Sequence, residues 1–289
     1  MARSIVDAFP PMQIGQLCKQ IKAFPFMAFQ EQSAFLTELI GIHPILNIDW
    51  EGGEFLRVRA LTSDGDISAV KDVIWPESQV IKPGRVDVDG HPVVYLASSA
   101  ETALRETRVE DSLVALARFQ ALPGKPIRTC PIGEMVLLLR TGCGRMVNKE
   151  NAKSLLGMMN ACPLEQARAM AIADTFLSEV LTTPGDDYRL TSLVSQTIFQ
   201  KNLNVDAILY PSQMQTAGVN VAVRRDRFWQ KLGLAAVTQT RAEHLAAGFF
   251  RLSNIKQVNG VYPSGKFEWA ENYATEESHL LLEPLWQPT

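Results

Sequence analysis

Apolar residues recur at helical spacing through the first fifty residues. Two runs, over residues 14–21 and 30–42, show this period, and prolines interrupt the chain around them because proline ends or kinks a helix. We therefore predict a helical N-terminal extension over residues 1–50, followed by one domain over residues 51–289. In the second run the apolar positions are Phe35, Leu36, Leu39 and Ile40.

The pattern changes to that of a sheet after residue 54. Residues 55–61 alternate apolar and basic side chains, which predicts a strand with Arg57 and Arg59 on one face. Residues 93–97 form an apolar run typical of a buried strand. Ser98 or Ser99 is then suited to cap a helix over residues 100–106.

The remaining chain mixes both kinds of element without a regular alternation. This excludes a doubly wound parallel sheet and predicts an α+β fold. The elements after residue 248 are not resolved by pattern alone. The predicted strands cover residues 113–119, 134–139, 205–210 and 220–223, and the predicted helices cover 164–181 and 188–201.

Composition narrows the class of protein. The chain has 289 residues, 46% of them hydrophobic, and a formal net charge of -3, so it can bury a core and lacks the basic surface of a general nucleic-acid binder. No apolar run approaches the roughly 20 residues of a membrane span. The N-terminus has no apolar run of signal-peptide type, so the expected compartment is the cytoplasm.

The metal-binding residue types show no ligand spacing. The four cysteines are widely separated and are expected to be reduced and mostly buried. The four histidines show no paired spacing either, so we expect no metal, and we assign His91 a structural role.

Two segments concentrate residues suited to chemistry. The first contains Gly84-Arg85, Tyr95-Leu96-Ala97, Thr102-Ala103 and Glu106, and the second contains Asp206-Ala-Ile-Leu-Tyr-Pro-Ser212 with Asn220. Through these groups the chain, over about residues 55–223, resembles the RES family, which is named for its arginine, glutamate and serine. The second segment has Ala207 where the family pattern has glycine, and Val86 follows the Gly-Arg pair where many members have an aromatic or small residue.

The resemblance implies a fold and an activity. Members of the family resemble ADP-ribosyltransferases and consume NAD, and many are toxins paired with an antitoxin. The implied fold is an ADP-ribosyltransferase-like core of curved, split β-sheet with helices. The implied catalytic residues are Glu106, Ser212 and Arg57 or Arg59, of which we choose Arg57. The implied NAD-binding residues are Arg85, Tyr95, Arg59 and Asn220.

These residue types fit cleavage of the nicotinamide-ribose bond. A carboxylate such as Glu106 stabilises the positive charge that develops on the ribose, and arginines such as Arg57 and Arg85 bind the diphosphate. Tyr95 can stack on the nicotinamide region, and the hydroxyl of Ser212 can orient a ribose hydroxyl or the amide. NAD is then a substrate, and no further cofactor is required.

Several alternatives stay open. The acceptor can be water (a glycohydrolase), phosphate (a phosphorylase), or a protein or nucleic acid (an ADP-ribosyltransferase), and an inactive binding module is the rival from another class. The extension can cap the core, form a homodimer interface or shield the cleft, and a toxin would have a cognate antitoxin.

Each candidate residue also has an ordinary structural interpretation. Glu106 can be a solvated helix residue, and Tyr95 a core aromatic. Arg57 and Arg59 can be edge-strand charges that discourage aggregation, and Ser212 can be a turn residue.

Overall fold

The structure, a computed structural model, describes residues 5–61, 67–74, 93–183, 188–272, 282 and 284–288. It is α+β, as predicted. The helices are α1 (Ile5–Ala8), α2 (Ile14–Ala23), α3 (Phe29–Ile42), α4 (Val70–Ile74), α5 (Ala100–Glu106), α6 (Met135–Thr141), α7 (Lys149–Asn160), α8 (Leu164–Thr182), α9 (Arg189–Lys201) and α10 (Arg225–Lys231), with a 3-10 turn at Phe24–Phe26. The strands are β1 (Ile48–Trp50), β2 (Glu54–Ala60), β3 (Val93–Ala97), β4 (Asp111–Ala121), β5 (Ile127–Pro131), β6 (Ala207–Pro211), β7 (Val219–Arg224), β8 (Leu232–Ala246), β9 (Phe249–Val261) and β10 (Phe267–Trp269).

The described residues separate into two compact units. The first comprises residues 5–48 and Arg128–Pro211, and the second comprises the described parts of residues 49–74, Val93–Ile127 and residues 212–288. The helical N-terminal region is confirmed, and the domain boundary at residue 50 stays a prediction. None of the described helices combines the length and the apolar character needed to cross a bilayer.

The first unit buries the N-terminal helices against the later ones. Phe24 and Phe35 pack on Phe176 of α8, with ring centroids 5.0 and 5.8 Å from its ring. Lys201, at the end of α9, donates through Nζ to carbonyl oxygens at the C-terminus of α3, including those of Ile40 (2.7 Å) and His43 (2.6 Å). A cation stabilises a helix C-terminus because it satisfies the unpaired carbonyls. Within this unit, therefore, the N-terminal helices pack against α8 and α9.

The predicted strand over residues 134–139 is wrong, because this segment is helix α6. A short apolar run does not distinguish a buried strand from a buried helix. Here Met135 and Leu138, one turn apart, are buried, whereas Leu139 is 41% exposed. Asp174 fixes the start of the helix, since its carboxylate accepts the Met135 amide at 2.8 Å and that of Gly133 at 3.0 Å. Burial raises the pKa of Asp174 to about 6.

The second unit contains an antiparallel run of strands in the order β7-β3-β2-β4-β8-β9-β10. Strands β8 and β9 form a long hairpin whose turn, Ala247-Gly248, has positive φ at both residues, the backbone that matches the twist of a tight hairpin. Helix α5 covers one face of β2, β3 and β4. The buried cluster between them includes Ala103 and Leu104 of the helix and, from the strands, Leu56, Val58, Ala97, Val114 and Leu116.

Most other predicted elements are confirmed with small changes of boundary. The helices predicted over 164–181 and 188–201 are α8 and α9, and the strands predicted over 113–119, 205–210 and 220–223 are β4, β6 and β7. The C-terminal region that pattern alone did not resolve contains β9 and β10. The doubly wound parallel sheet is correctly excluded, because the pairs of the second unit are antiparallel, while β5 and β6 pair in parallel.

Candidate functional site

Glu106 is the last residue of α5, and the start of this helix is fixed by its serine cap. The Ser99 side chain accepts the Thr102 amide at 3.2 Å, which confirms the predicted cap. The buried side chains of Ala103 and Leu104 then hold the helix against β2 and β3. The carboxylate of Glu106 consequently lies beside the end of β3 and its neighbour β7.

Ser212 begins the loop that leads into β7, and Asn220 is the second residue of that strand. The loop is closed by backbone hydrogen bonds, from the Ser212 amide to the Gly218 carbonyl at 2.9 Å and from the Gly218 amide to the Gln215 carbonyl at 3.0 Å. Gly218 packs directly on α5. A Cβ at this position would lie 2.6 Å from Oγ1 of Thr102, so the close approach requires glycine.

The structure brings three of the predicted site residues into direct contact. Oγ of Ser212 donates to Oε1 of Glu106 at 2.6 Å, and Nδ2 of Asn220 donates to the same oxygen at 2.8 Å. Both donors are buried, with 9% of Ser212 and 8% of Asn220 exposed. Among the described residues, no group donates to the second oxygen, Oε2. The carboxylate is thus held by one oxygen, while the other has no donor from the described part of the chain.

The hydroxyl of Ser212 is fully used in this arrangement. A serine hydroxyl offers one donor hydrogen and two acceptor lone pairs. The hydrogen goes to Glu106, and the lone pairs accept the amides of Met214 at 3.1 Å and Gln215 at 3.0 Å. The predicted contact of this hydroxyl with a ribose hydroxyl or a nicotinamide amide would therefore require one of these bonds to break. As it stands, Ser212 positions Glu106.

The strand register separates the two arginines of β2 from this cluster. Leu56 pairs with Ala97 and Ala97 pairs with Asn220, so these three side chains lie on one face. Successive residues of a strand point to opposite faces. Arg57 and Arg59 therefore share a face, as predicted, and leave β2 on the side opposite to Asn220.

Both arginine side chains hold backbone carbonyls within the second unit. Nη1 of Arg57 donates to the carbonyl of Tyr95 at 2.8 Å, and Nη1 of Arg59 donates to the carbonyl of Asp72 at 2.6 Å. Arg57 thus braces the strand that carries Tyr95. The side chain of Tyr95 is half-buried and shares the face of Ala97 and Asn220. The third predicted arginine, Arg85, lies outside the described residues.

The sequence pattern did not reveal a second set of residues, which lie around the loop of residues 212–218. Nε of Arg105 donates to the carbonyl of Met214 at 3.1 Å, and Nη1 of Arg105 lies 3.1 Å from Nε2 of His244. His244 comes from the far end of β8, so no local signal connects it to α5. For Thr102 and Gly218 a signal did exist, because both fall inside the segments that resemble the family.

The described histidines and acidic residues form no metal site. Among the residues that the structure describes, no group of three or more histidine, cysteine, aspartate or glutamate side chains is arranged to hold a metal ion. His43 is buried in the first unit, and His244 lies beside Arg105. His91 and His279 lie outside the described residues.

The fold and the cluster define an α+β protein in which a helix-end glutamate is held by a serine and an asparagine from one loop and strand. A family model described as the RES domain matches residues 58–242, more than half of the chain. The protein belongs to the RES domain family. The match begins one residue after Arg57 and spans the other predicted site residues. No curated protein and no solved structure gives a significant match to the chain.

Proposed function

We propose that the protein cleaves the nicotinamide-ribose bond of NAD, with Glu106 as the catalytic carboxylate. The observation that carries the proposal is that Ser212 and Asn220 both donate hydrogen bonds to Oε1 of Glu106. Two buried donors on one oxygen fix the orientation of a carboxylate before substrate arrives, and such preorganisation is a major source of transition-state stabilisation. Membership of the RES family supports the same activity.

In the proposed reaction Oε2 of Glu106 faces the sugar. The bond between the ribose carbon and the pyridinium nitrogen breaks, both electrons go to the nitrogen, and nicotinamide leaves as a neutral molecule. The positive charge that develops on the ribose is stabilised by the carboxylate. An acceptor oxygen, from water or phosphate, then bonds to the ribose carbon and releases its proton.

Within the described residues, the NAD-binding contacts of the proposal come from the neighbouring strands. Tyr95 shares the face of Asn220, which supports its stacking on the nicotinamide side of the substrate. Arg57, Arg59 and Arg85 are proposed for the diphosphate because guanidinium groups bind phosphate oxygens bidentately. Arg57 and Arg59 leave β2 on the other face, so a variant of Arg57 tests this part separately from Glu106.

The proposed core is the split sheet of ADP-ribosyltransferases. In the second unit β2 pairs with β3 at Leu56 and Ala97 and with β4 along its whole length, so the described strands of this unit form one continuous run. The proposal of a split sheet therefore rests on family membership. The proposed role as the toxin of a toxin–antitoxin pair rests on family membership alone.

The proposal is tested by incubating the purified protein with NAD, with and without inorganic phosphate, and separating nicotinamide and ADP-ribose products by chromatography. Glu106→Gln keeps the size of the side chain and removes its charge. We expect it to lower turnover by about 100- to 1,000-fold, as loss of a key transition-state contact does. Glu101→Gln is the matched control, because Glu101 is an exposed residue of the first turn of the same helix.

The products identify the acceptor. Free ADP-ribose without phosphate indicates hydrolysis, and a phosphorylated product that needs phosphate indicates phosphorolysis. Transfer to a macromolecule would instead appear as an added ADP-ribose mass on the target. No release of nicotinamide by the parent protein, or equal turnover in Glu106→Gln, would contradict the proposal.

A further inference from the structure

Arg105 precedes Glu106 on α5 and contacts the same loop, residues 212–218. Its Nε donates to the carbonyl of Met214 at 3.1 Å, and the amide of Met214 in turn donates to Oγ of Ser212 at 3.1 Å. The peptide group before Met214 is therefore held by Ser212, and the peptide group after it is held by Arg105 through its carbonyl and by Ser212 through its amide. Glu106 and Arg105 thus hold the loop at two adjacent points.

The arginine contacts a histidine, and the donor and acceptor capacities of the two side chains assign their roles. A guanidinium has only donors, so Nε2 of His244, 3.1 Å from Nη1 of Arg105, must be the acceptor. An imidazole that accepts through Nε2 carries its proton on Nδ1. Nδ1 lies 3.4 Å from the exposed carboxylate of Glu110, and the ring packs on Phe250 with centroids 5.1 Å apart. His244 therefore serves Arg105 as a hydrogen-bond acceptor.

From these contacts we infer that Arg105 is a positioning residue for the Ser212–Glu106 pair. We infer also that His244 orients the guanidinium of Arg105 toward the Met214 carbonyl. This inference rests on the proposed function and adds residues that the sequence did not single out. Arg105 acts through the loop and is not expected to touch substrate. Its loss should therefore lower kcat and leave KM nearly unchanged.

The test combines hydrogen exchange of the loop with kinetics in the 289-residue chain. Hydrogen exchange of the amides over residues 212–218 is compared in the parent, Arg105→Met, His244→Leu and His244→Gln. The glutamine retains an acceptor oxygen for Arg105, whereas leucine does not. Arg108→Met is the matched control. Arg108 is an exposed arginine three residues further along the chain, and its substitution removes the same charge.

We expect exchange in the loop to quicken by roughly tenfold or more in Arg105→Met and His244→Leu, as for loss of one hydrogen bond to a charged group. His244→Gln and Arg108→Met should remain close to the parent, and kcat should fall by a similar factor in the first two variants only. Unchanged exchange in Arg105→Met would overturn the inference. So would faster exchange with an unaltered kcat, or equal exchange in His244→Gln and His244→Leu.

The exchange measurement does not depend on turnover. If the parent protein released no nicotinamide, the proposed function would fail, while the exchange data would still decide whether Arg105 holds the loop. If the parent is active and Glu106→Gln is not, the proposed function stands and the Arg105 variants decide the inference on their own.

Discussion

Replacing Ser212 with alanine tests whether this side chain positions Glu106 or binds substrate. The change removes one donor to Oε1 and two acceptors, for the amides of Met214 and Gln215. A hydrogen bond to a charged group contributes about 1.5–3 kcal/mol, which corresponds to about 10- to 150-fold in a rate. If Ser212 positions Glu106 in the transition state, this loss appears in kcat.

The assay is steady-state NAD turnover together with urea unfolding. We expect Ser212→Ala to lower kcat by about 10- to 100-fold with little change in KM, and to lower the free energy of unfolding by about 1–3 kcal/mol because two loop amides lose their acceptor. Ser99→Ala is the control. It removes the cap of α5 at a cost of about 1 kcal/mol and leaves both donors to Glu106 in place.

A double-mutant cycle with Asn220→Ala makes the test sharper. Both side chains donate to the same oxygen, so their effects on turnover should be coupled by about 0.5–3 kcal/mol. A raised KM with an unchanged kcat in Ser212→Ala would refute the argument, because it would assign the hydroxyl to substrate binding. Strict additivity of the two substitutions would refute the shared-oxygen geometry.

Two further predictions concern stability. Gly218→Ala should lower the free energy of unfolding, measured in urea, by about 1–3 kcal/mol, because the new methyl group meets the fully buried Thr102. Adding Thr102→Ala should recover part of this loss. A Gly218→Ala protein as stable as the parent would exclude the contact. Burial, and secondarily Lys201, lower the pKa of His43 from 6.5 to about 3. The unfolded chain therefore binds the proton first, so this contribution to stability is present above pH 6.5 and is lost as pH falls toward 3. At about 1.4 kcal/mol per pH unit, His43→Phe should lose about 2–3 kcal/mol less than the parent between pH 7.5 and 4.5, measured by urea unfolding, and parallel pH profiles would contradict the assignment. The raised pKa of Asp174 acts in the opposite direction, with stability lost as pH rises through about 6, but it is common to both proteins and cancels in the comparison.

Local signals predicted the surroundings of Glu106 well. The Ser99 cap and the helix over residues 100–106 follow from short-range preferences of the backbone, and alternation in β2 correctly put Arg57 and Arg59 on one face. The error at residues 134–139 has the same origin. A run of five apolar residues fits both periods, and the choice of helix depends on Asp174, which lies far along the chain.

The contacts of the site depended on strand register. The sequence predicted that Arg57 and Glu106 belong to one site. Whether the two side chains lie on the same face of the sheet depends on the single pairing of Leu56 with Ala97. A shift of one residue in this register would exchange the faces. No local pattern specifies it.

The sequence by itself determined the class of fold, the helical N-terminal region, the family and the candidate residues Glu106, Ser212 and Asn220. These depend on side-chain period, caps and short segments, which act over a few residues. Only the tertiary structure decided that both donors meet at one oxygen of Glu106, that the Ser212 hydroxyl is fully used, and that Arg105 is aimed by His244 from 139 residues away in the chain. Hydrogen-bond geometry depends on distances of a few tenths of an ångström between distant segments, and these distances are fixed only when the strands have paired and α5 has packed on them.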